Sequence, residues 1–262
     1  MYRYICILML CAQTAFSQDS TTHFVVGVTA NSAMNYYGRV DSLKSKGLYP
    51  FVGVNFSNGL YVNANFVFIH NNLQTQYAAT LVEGGWNFHN KKNSWSGSLS
   101  TTRYIYQDNT DLIQSAIKQS VAASITQLNK IVNITIGGDI KFSNQADPGA
   151  QAGLDHIIKF TRVFGKAVIV LDPSAYVYAG TQHFTQTYLQ QQHFLLFPAG
   201  EEVVTKDSRE FSILSYEASL PMILAYKKFN LILSPAYVLP QHVLTGSSAA
   251  LFYTTATVKF TL

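Results

Sequence analysis

Apolar and polar residues alternate one by one along most of this chain. In the stretch 59–69, Leu60, Val62, Ala64, Phe66 and Phe68 share one parity, and Tyr61, Asn63 and Asn65 the other. Over Lys130–Phe142, Val132, Ile134, Ile136, Ile140 and Phe142 oppose Asn133, Thr135, Asp139 and Lys141. The last segment sets Phe252, Ala256, Val258, Phe260 and Leu262 against Tyr253, Thr255, Thr257 and Lys259. A period of two is the mark of a strand with one apolar face, because successive side chains leave opposite faces of a sheet. The pattern predicts twelve strands, near 22–32, 46–56, 59–69, 75–88, 94–106, 116–128, 130–143, 149–160, 166–179, 209–226, 229–239 and 249–262.

The length of these strands narrows the architecture. Strands of soluble proteins centre on about 5–6 residues, whereas a tilted strand that crosses a bilayer needs about 9–11. The joints sort by length as well. Ser57-Asn58, Asn90–Asn93, Asn129, Thr161–Gly165 and Lys227-Lys228 are short and turn-rich. Longer joints near 33–45, 70–74, 107–115, 144–148, 180–208 and 240–248 alternate with them. Short turns at one end and longer loops at the other are the habit of membrane barrels. In lipid an open sheet edge leaves backbone groups unsatisfied at several kcal/mol each, so such a sheet must close. The fold expected is all-β, a transmembrane antiparallel up-and-down β-barrel of about twelve strands. An even count puts both termini at the short-turn end. Pro173, Pro221 and Pro235 fall inside predicted strands, where each removes a ladder donor, and bulges or frayed pairing are expected there.

Composition agrees. Charged residues are 12% of the chain, about half the roughly 25% usual in soluble proteins, while aromatics reach 13%. Residues 1–17 read as a cleavable export signal: Met1–Arg3 is a short positive start, Tyr4–Ala12 an apolar core, and Ala15-Phe16-Ser17 a small-x-small site. Residues 18–262 then form a single domain. Both cysteines, Cys6 and Cys11, lie within the signal, so cleavage leaves a chain without disulfides. The remaining sequence has no run of 18 apolar residues that could cross a membrane as a helix. The net charge of +4 is mild and its lysines and arginines are scattered, which argues against a nucleic-acid partner.

With the signal Arg3–Ser17, the alternating segments and the aromatic-bearing final strand Phe252–Leu262, the chain resembles the outer-membrane β-barrel proteins of Gram-negative bacteria. The resemblance is to a broad architecture rather than to one transporter or enzyme family. It implies residence in the outer membrane with both termini periplasmic, contact with outer-membrane lipid, and recognition of the last strand by the barrel-assembly machinery. The last strand departs from the usual signal in ending on Leu262, with Phe260 two residues earlier.

If the apolar faces meet lipid, the other faces line a lumen. The lining residues expected are Glu83, Arg103, Lys118, Asp139, Lys141, Asp155, Lys159, Asp172, Glu217 and Lys259, five acidic and five basic, with Tyr61, Asn63 and Asn65. Twelve strands about 4.8 Å apart and tilted about 40° give a backbone diameter of roughly 24 Å, and side chains reduce the bore to about 10 Å or less. Such a lumen suits water, ions or a small solute. The expected function is therefore a porin-like passive channel or binding lumen for small solutes. The alternatives are a closed structural or surface-interaction barrel that works through its outer loops, and a lipid-modifying enzyme borne on a barrel. The 180–208 joint, with Tyr188, His193, Phe194 and Phe197, is a candidate constriction or interaction loop. The phospholipase barrels of the outer membrane carry His, one residue, then Ser-Asn-Gly. Here Asn55 stands at the His position of Asn55-Phe56-Ser57-Asn58-Gly59, and Ser57–Gly59 reads as a hairpin turn, so no enzyme is expected. The dispersed histidines offer no zinc spacing, and neither a metal nor a cofactor is expected.

Overall fold

The computed structural model describes residues 21–40, 43–107, 117–163, 165–183, 210–241 and 249–262. The predicted signal and the residues Tyr188, His193, Phe194 and Phe197 lie outside the described residues. In chain order the strand segments are β1 (His23–Asn31), β2 (Asn35–Tyr36), β3 (Arg39–Val40), β4 (Lys46–Asn55), β5 (Leu60–His70) and β6 (Thr75–His89). Next come β7 (Trp95–Tyr106), β8 (Gln119–Gln127), β9 (Asn133–Phe142), β10 (Ala146–Asp155), β11 (Ile158–Val163) and β12 (Ala167–Leu171). The chain finishes with β13 (Ser174–Gly180), β14 (Ser212–Ser219), β15 (Met222–Tyr226), β16 (Phe229–Pro240) and β17 (Leu251–Thr261). Fifteen of these segments form one antiparallel sheet that closes on itself through β1–β17 and β16–β17 pairing. Three wall strands are each written as two segments, β10/β11, β12/β13 and β14/β15, so the barrel has 12 strands.

The sidedness follows the parity of the sequence. Phe24, Val52, Val62, Leu99, Ile136, Leu154 and Phe252 are exposed on the outer face, a continuous apolar surface far beyond what a water-soluble monomer carries. Aromatic side chains gather at the strand ends. Phe24, Trp95, Tyr226, Phe229 and Phe260 mark the short-turn end, and Phe68, Phe142 and Phe252 the loop end. Two such girdles flanking an apolar band are the signature of a bilayer-spanning barrel.

The prolines interrupt the ladder without shifting it. Asp155 faces Ser174 and Ile158 faces Leu171 in one continuous register, and the same holds for Ser174–Ser219 with Leu171–Met222 and for Ser219–Ala236 with Met222–Leu233. At each interruption one rung survives. His156 N–H donates to Pro173 O at 3.1 Å, Asp172 N–H to Pro221 O at 2.9 Å, and Leu220 N–H to Pro235 O at 3.0 Å. The expected fraying is present as lost rungs, while the bulges lie elsewhere, at Val67/Phe68, Phe160/Val163 and Tyr178/Ala179. Pro173 has no N–H for the carbonyl of His156, so Pro173→Val should restore a rung. Its expected effect is a gain of about 0.5–1.5 kcal/mol, read as a higher urea midpoint in lipid vesicles. An unchanged or lower midpoint would show that the gap is otherwise satisfied.

Loop lengths sort less cleanly than the sequence suggested. The loop-end joints at 71–74 and 143–145 are as tight as those of the opposite end, the second because β10 begins at Ala146 rather than near 149. Asp147 is thereby part of the wall, and it is 1% exposed. Ser57–Gly59 forms the expected turn, with Gly59 at φ +85° and Leu60 N–H donating to Asn58 Oδ1 at 3.1 Å.

Candidate functional site: the lumen and the hairpin across its mouth

The joint between β1 and β4 does not stay outside the barrel. Asn35 pairs with Val40 and Tyr36 with Arg39, leaving Tyr37-Gly38 as a two-residue turn. Both turn residues have positive φ, 53° and 81°, the type I′ geometry that suits a tight hairpin and calls for glycine at one position. Asn35 Oδ1 accepts from Gly38 N–H at 3.1 Å and pins the turn. A Cβ on Gly38 would lie 2.9 Å from Val238 Cγ1 and 3.2 Å from Pro240 Cδ. The tip of the hairpin therefore presses on the inner face of β16.

Its side chains reach several other walls. The Tyr37 ring packs at a 44° tilt against Tyr178 of β13, with the ring centres 5.3 Å apart. Lys141 of β9 donates to the Tyr37 hydroxyl at 3.4 Å and sits 5.6 Å from its ring centre. Tyr36 is buried with Ile117 and packs with Tyr104 of β7. Asn35 lies beside Tyr253 of β17, and Arg39 Nη1 donates to Gln182. Met34 fills an inward apolar cluster with Val67, Ile69, Tyr49 and Tyr106. These contacts run from β4–β6 beside the hairpin's root to β9 across the barrel, so the hairpin lies across the loop-end mouth. Burial pulls the Arg39 guanidinium below its ordinary range and pushes the Tyr36 phenol well above its own.

Below the hairpin the lining is polar and laid flat. A Cβ on Gly85 would meet the Tyr61 ring at 2.5 Å, and one on Gly153 the Tyr176 ring at 2.2 Å. Each ring thus covers a neighbouring glycine along the wall and takes less of the bore than a ring aimed at the axis. Hydroxyl pairs cross between strands at Thr29–Thr257, Thr126–Thr135 and Ser174–Ser219.

The expected lining residues divide into those paired with another residue of the lumen and those placed inward or at a rim. Asp139 and Lys141, both inward on β9, form an ion pair. Tyr61 donates to Glu83 Oε1 at 2.5 Å, Asn133 to Asp155 Oδ2 at 2.7 Å, and Tyr253 to Glu217 Oε2 at 3.4 Å. Asp172 lies beside Asp155, and its Oδ1 is buried without a hydrogen-bond partner among the described residues. Asn63, Asn65 and Lys259 lie on the inward parity of β5 and β17. Lys159 takes the inward parity opposite Val170 but is exposed at the short-turn rim. Lys118 is exposed at the other rim, its Nζ 3.3 Å from Asn144 Oδ1.

Arg103 corrects the expectation. It pairs with Val82 and Gln119 and shares the outer face with Leu99 and Ile105. Its strand carries serine and threonine on both faces, so parity there was not readable from apolar positions. Near the loop end of β7 its long side chain can carry the charge to the interface along an apolar stem.

The sequence reading missed two groups. One is the hairpin itself, whose only local signal is Asn35-Tyr36-Tyr37-Gly38. The other is Asp147, which accepts from Thr181 Oγ1 at 2.7 Å, His183 N–H at 2.6 Å and His183 Nδ1 at 2.9 Å.

No family model matches the chain, and no curated protein does. Solved structures do match. A structure titled KdgM porin aligns at TM-score 0.52 and 6% identity, covering 90% of this chain and 98% of that one. The COG4313 outer membrane channel from Pseudomonas putida F1 aligns at TM-score 0.52 and 10% identity, covering 95% and 98%. A NanC porin structure aligns at TM-score 0.50 and 9% identity, covering 90% and 100%. At such identities the likeness is one of fold, and the fold is that of outer-membrane β-barrels.

Proposed function

We propose that this chain is a passive, porin-like channel for small hydrophilic solutes in a bacterial outer membrane, closed down at its loop end by the Asn35–Val40 hairpin. The observation that carries the reading is the pairing of an apolar outer face with a polar, flat-lying lumen. Such a bore offers solute a hydrated path past hydrocarbon and needs no chemistry. The names of the similar structures, two porins and a channel, support the same class. In this orientation the short turns and both termini face the periplasm, the loops face outward, and the surrounding partner is outer-membrane lipid. The last strand would be the element read by the assembly machinery. No catalytic role is assigned to the lining.

The wall-to-wall hairpin also favours a second reading, a barrel that stays shut and acts through its outer loops. The two separate cleanly in proteoliposomes. Uptake of size-graded neutral sugars should fall steeply with size, and planar bilayers should show discrete conductance steps. Folded protein that gives neither would defeat the channel and favour the shut barrel.

A further inference from the structure

The hairpin carries one charge that solute passage alone leaves unexplained. Arg39 is 8% exposed. Its Nη1 is taken by Gln182, while Nε and Nη2 are shut off from water and have no hydrogen-bond partner among the described residues. These two nitrogens form one edge of the guanidinium plane, the edge that takes a carboxylate in two parallel hydrogen bonds. The described carboxylates at this end of the lumen have other partners. Asp139 is paired with Lys141, and Asp147 accepts from Thr181 and His183. A buried cation left without counter-ion or full hydrogen bonding is strongly unfavourable, and here it sits in the hairpin that lies across the loop-end mouth.

We propose that the Nε–Nη2 edge of Arg39 is a binding seat for the carboxylate of a small organic acid at the mouth of the lumen. The inference rests on the channel reading only for the route of entry. With the hairpin down the edge is closed to water, so the acid engages as the hairpin lifts. A ligand that binds only the lifted state draws the equilibrium toward it, and the seat therefore couples acid binding to opening. Gln182 acts as a positioning residue that holds the guanidinium plane.

The test uses the full folded chain in detergent micelles, so that binding is measured apart from conduction. Carbon-13 formate, titrated against chloride at constant ionic strength, should show saturable line broadening. Arg39→Gln should abolish saturation. Arg39→Lys keeps the charge but not the fork and should weaken binding about tenfold. Lys92→Gln, in an exposed turn at the opposite end, should leave it unchanged. If Arg39→Gln fails to fold, judged by heat-modifiable migration, Gln182→Ala serves in its place, with binding weakened severalfold. Absence of saturation in the natural chain, or saturation that survives both Arg39 variants, would overturn the proposal. In bilayers formate should lengthen openings of the natural chain and not of Arg39→Gln. Binding without conductance would sink the channel and keep the seat, whereas conductance without binding would do the reverse.

Discussion

Ile136→Arg should cost roughly 2–4 kcal/mol of folding stability in a bilayer, the range for an arginine on the lipid face of a barrel near its midplane. Ile136 is 58% exposed on the outer face of β9, flanked in register by Ile125 and Ala152. Exposure of this kind in water would make arginine there close to neutral or even helpful. In hydrocarbon the same substitution strands a charge. Asn65→Arg supplies the internal contrast, because Asn65 faces the lumen from β5 and its arginine would meet water. That variant should change stability by less than about 1 kcal/mol. Urea titration of both proteins in vesicles decides the matter. Equal costs at the two positions would mean that the outer face is not in lipid, and the membrane assignment would fall with it.

Why the walls were legible and the mouth was not follows from the range of the forces involved. Lipid outside and a polar lumen inside impose a period of two on each strand separately. The stretch 59–69 therefore announced Leu60–His70, and 229–239 announced Phe229–Pro240. Where the lumen side was small and hydroxylated, as in Ser96–Thr102, the period faded and Arg103 was placed on the wrong face. Proline marked the interruptions in the wall. Local sequence could not show that the register would run through them, because that depends on pairing with strands on both sides. The hairpin is the extreme case. Its turn is local, but its place in the lumen depends on Tyr104, Lys141, Tyr178 and Val238, all distant in sequence. The period of the loop itself carries no trace of those contacts.

Excising the hairpin should turn a mostly closed pore into a steadily open one. A pair of strands about 4.8 Å apart with their side chains spans about 10 Å, which matches the bore left by a twelve-strand barrel after its own side chains are counted. The hairpin is thus about as wide as the space it occupies. Among the described contacts that hold it down, three are readily separated: the Lys141–Tyr37 contact, the tilted Tyr37–Tyr178 ring contact and the burial of Tyr36 against Ile117. Replacing residues 34–44 with a short Gly-Ser linker keeps β1 and β4 joined as antiparallel neighbours and removes all three. Single-channel records should then show long openings with conductance severalfold above the natural chain's time average. Lys141→Met, which removes one contact only, should fall between the two. Because Lys141 also pairs with Asp139, that variant should shift ion selectivity toward cations, whereas excision should change occupancy chiefly. If the excised barrel folds, as judged by heat-modifiable migration, and its records match those of the natural chain, the hairpin is not the gate and the constriction lies elsewhere in the lumen.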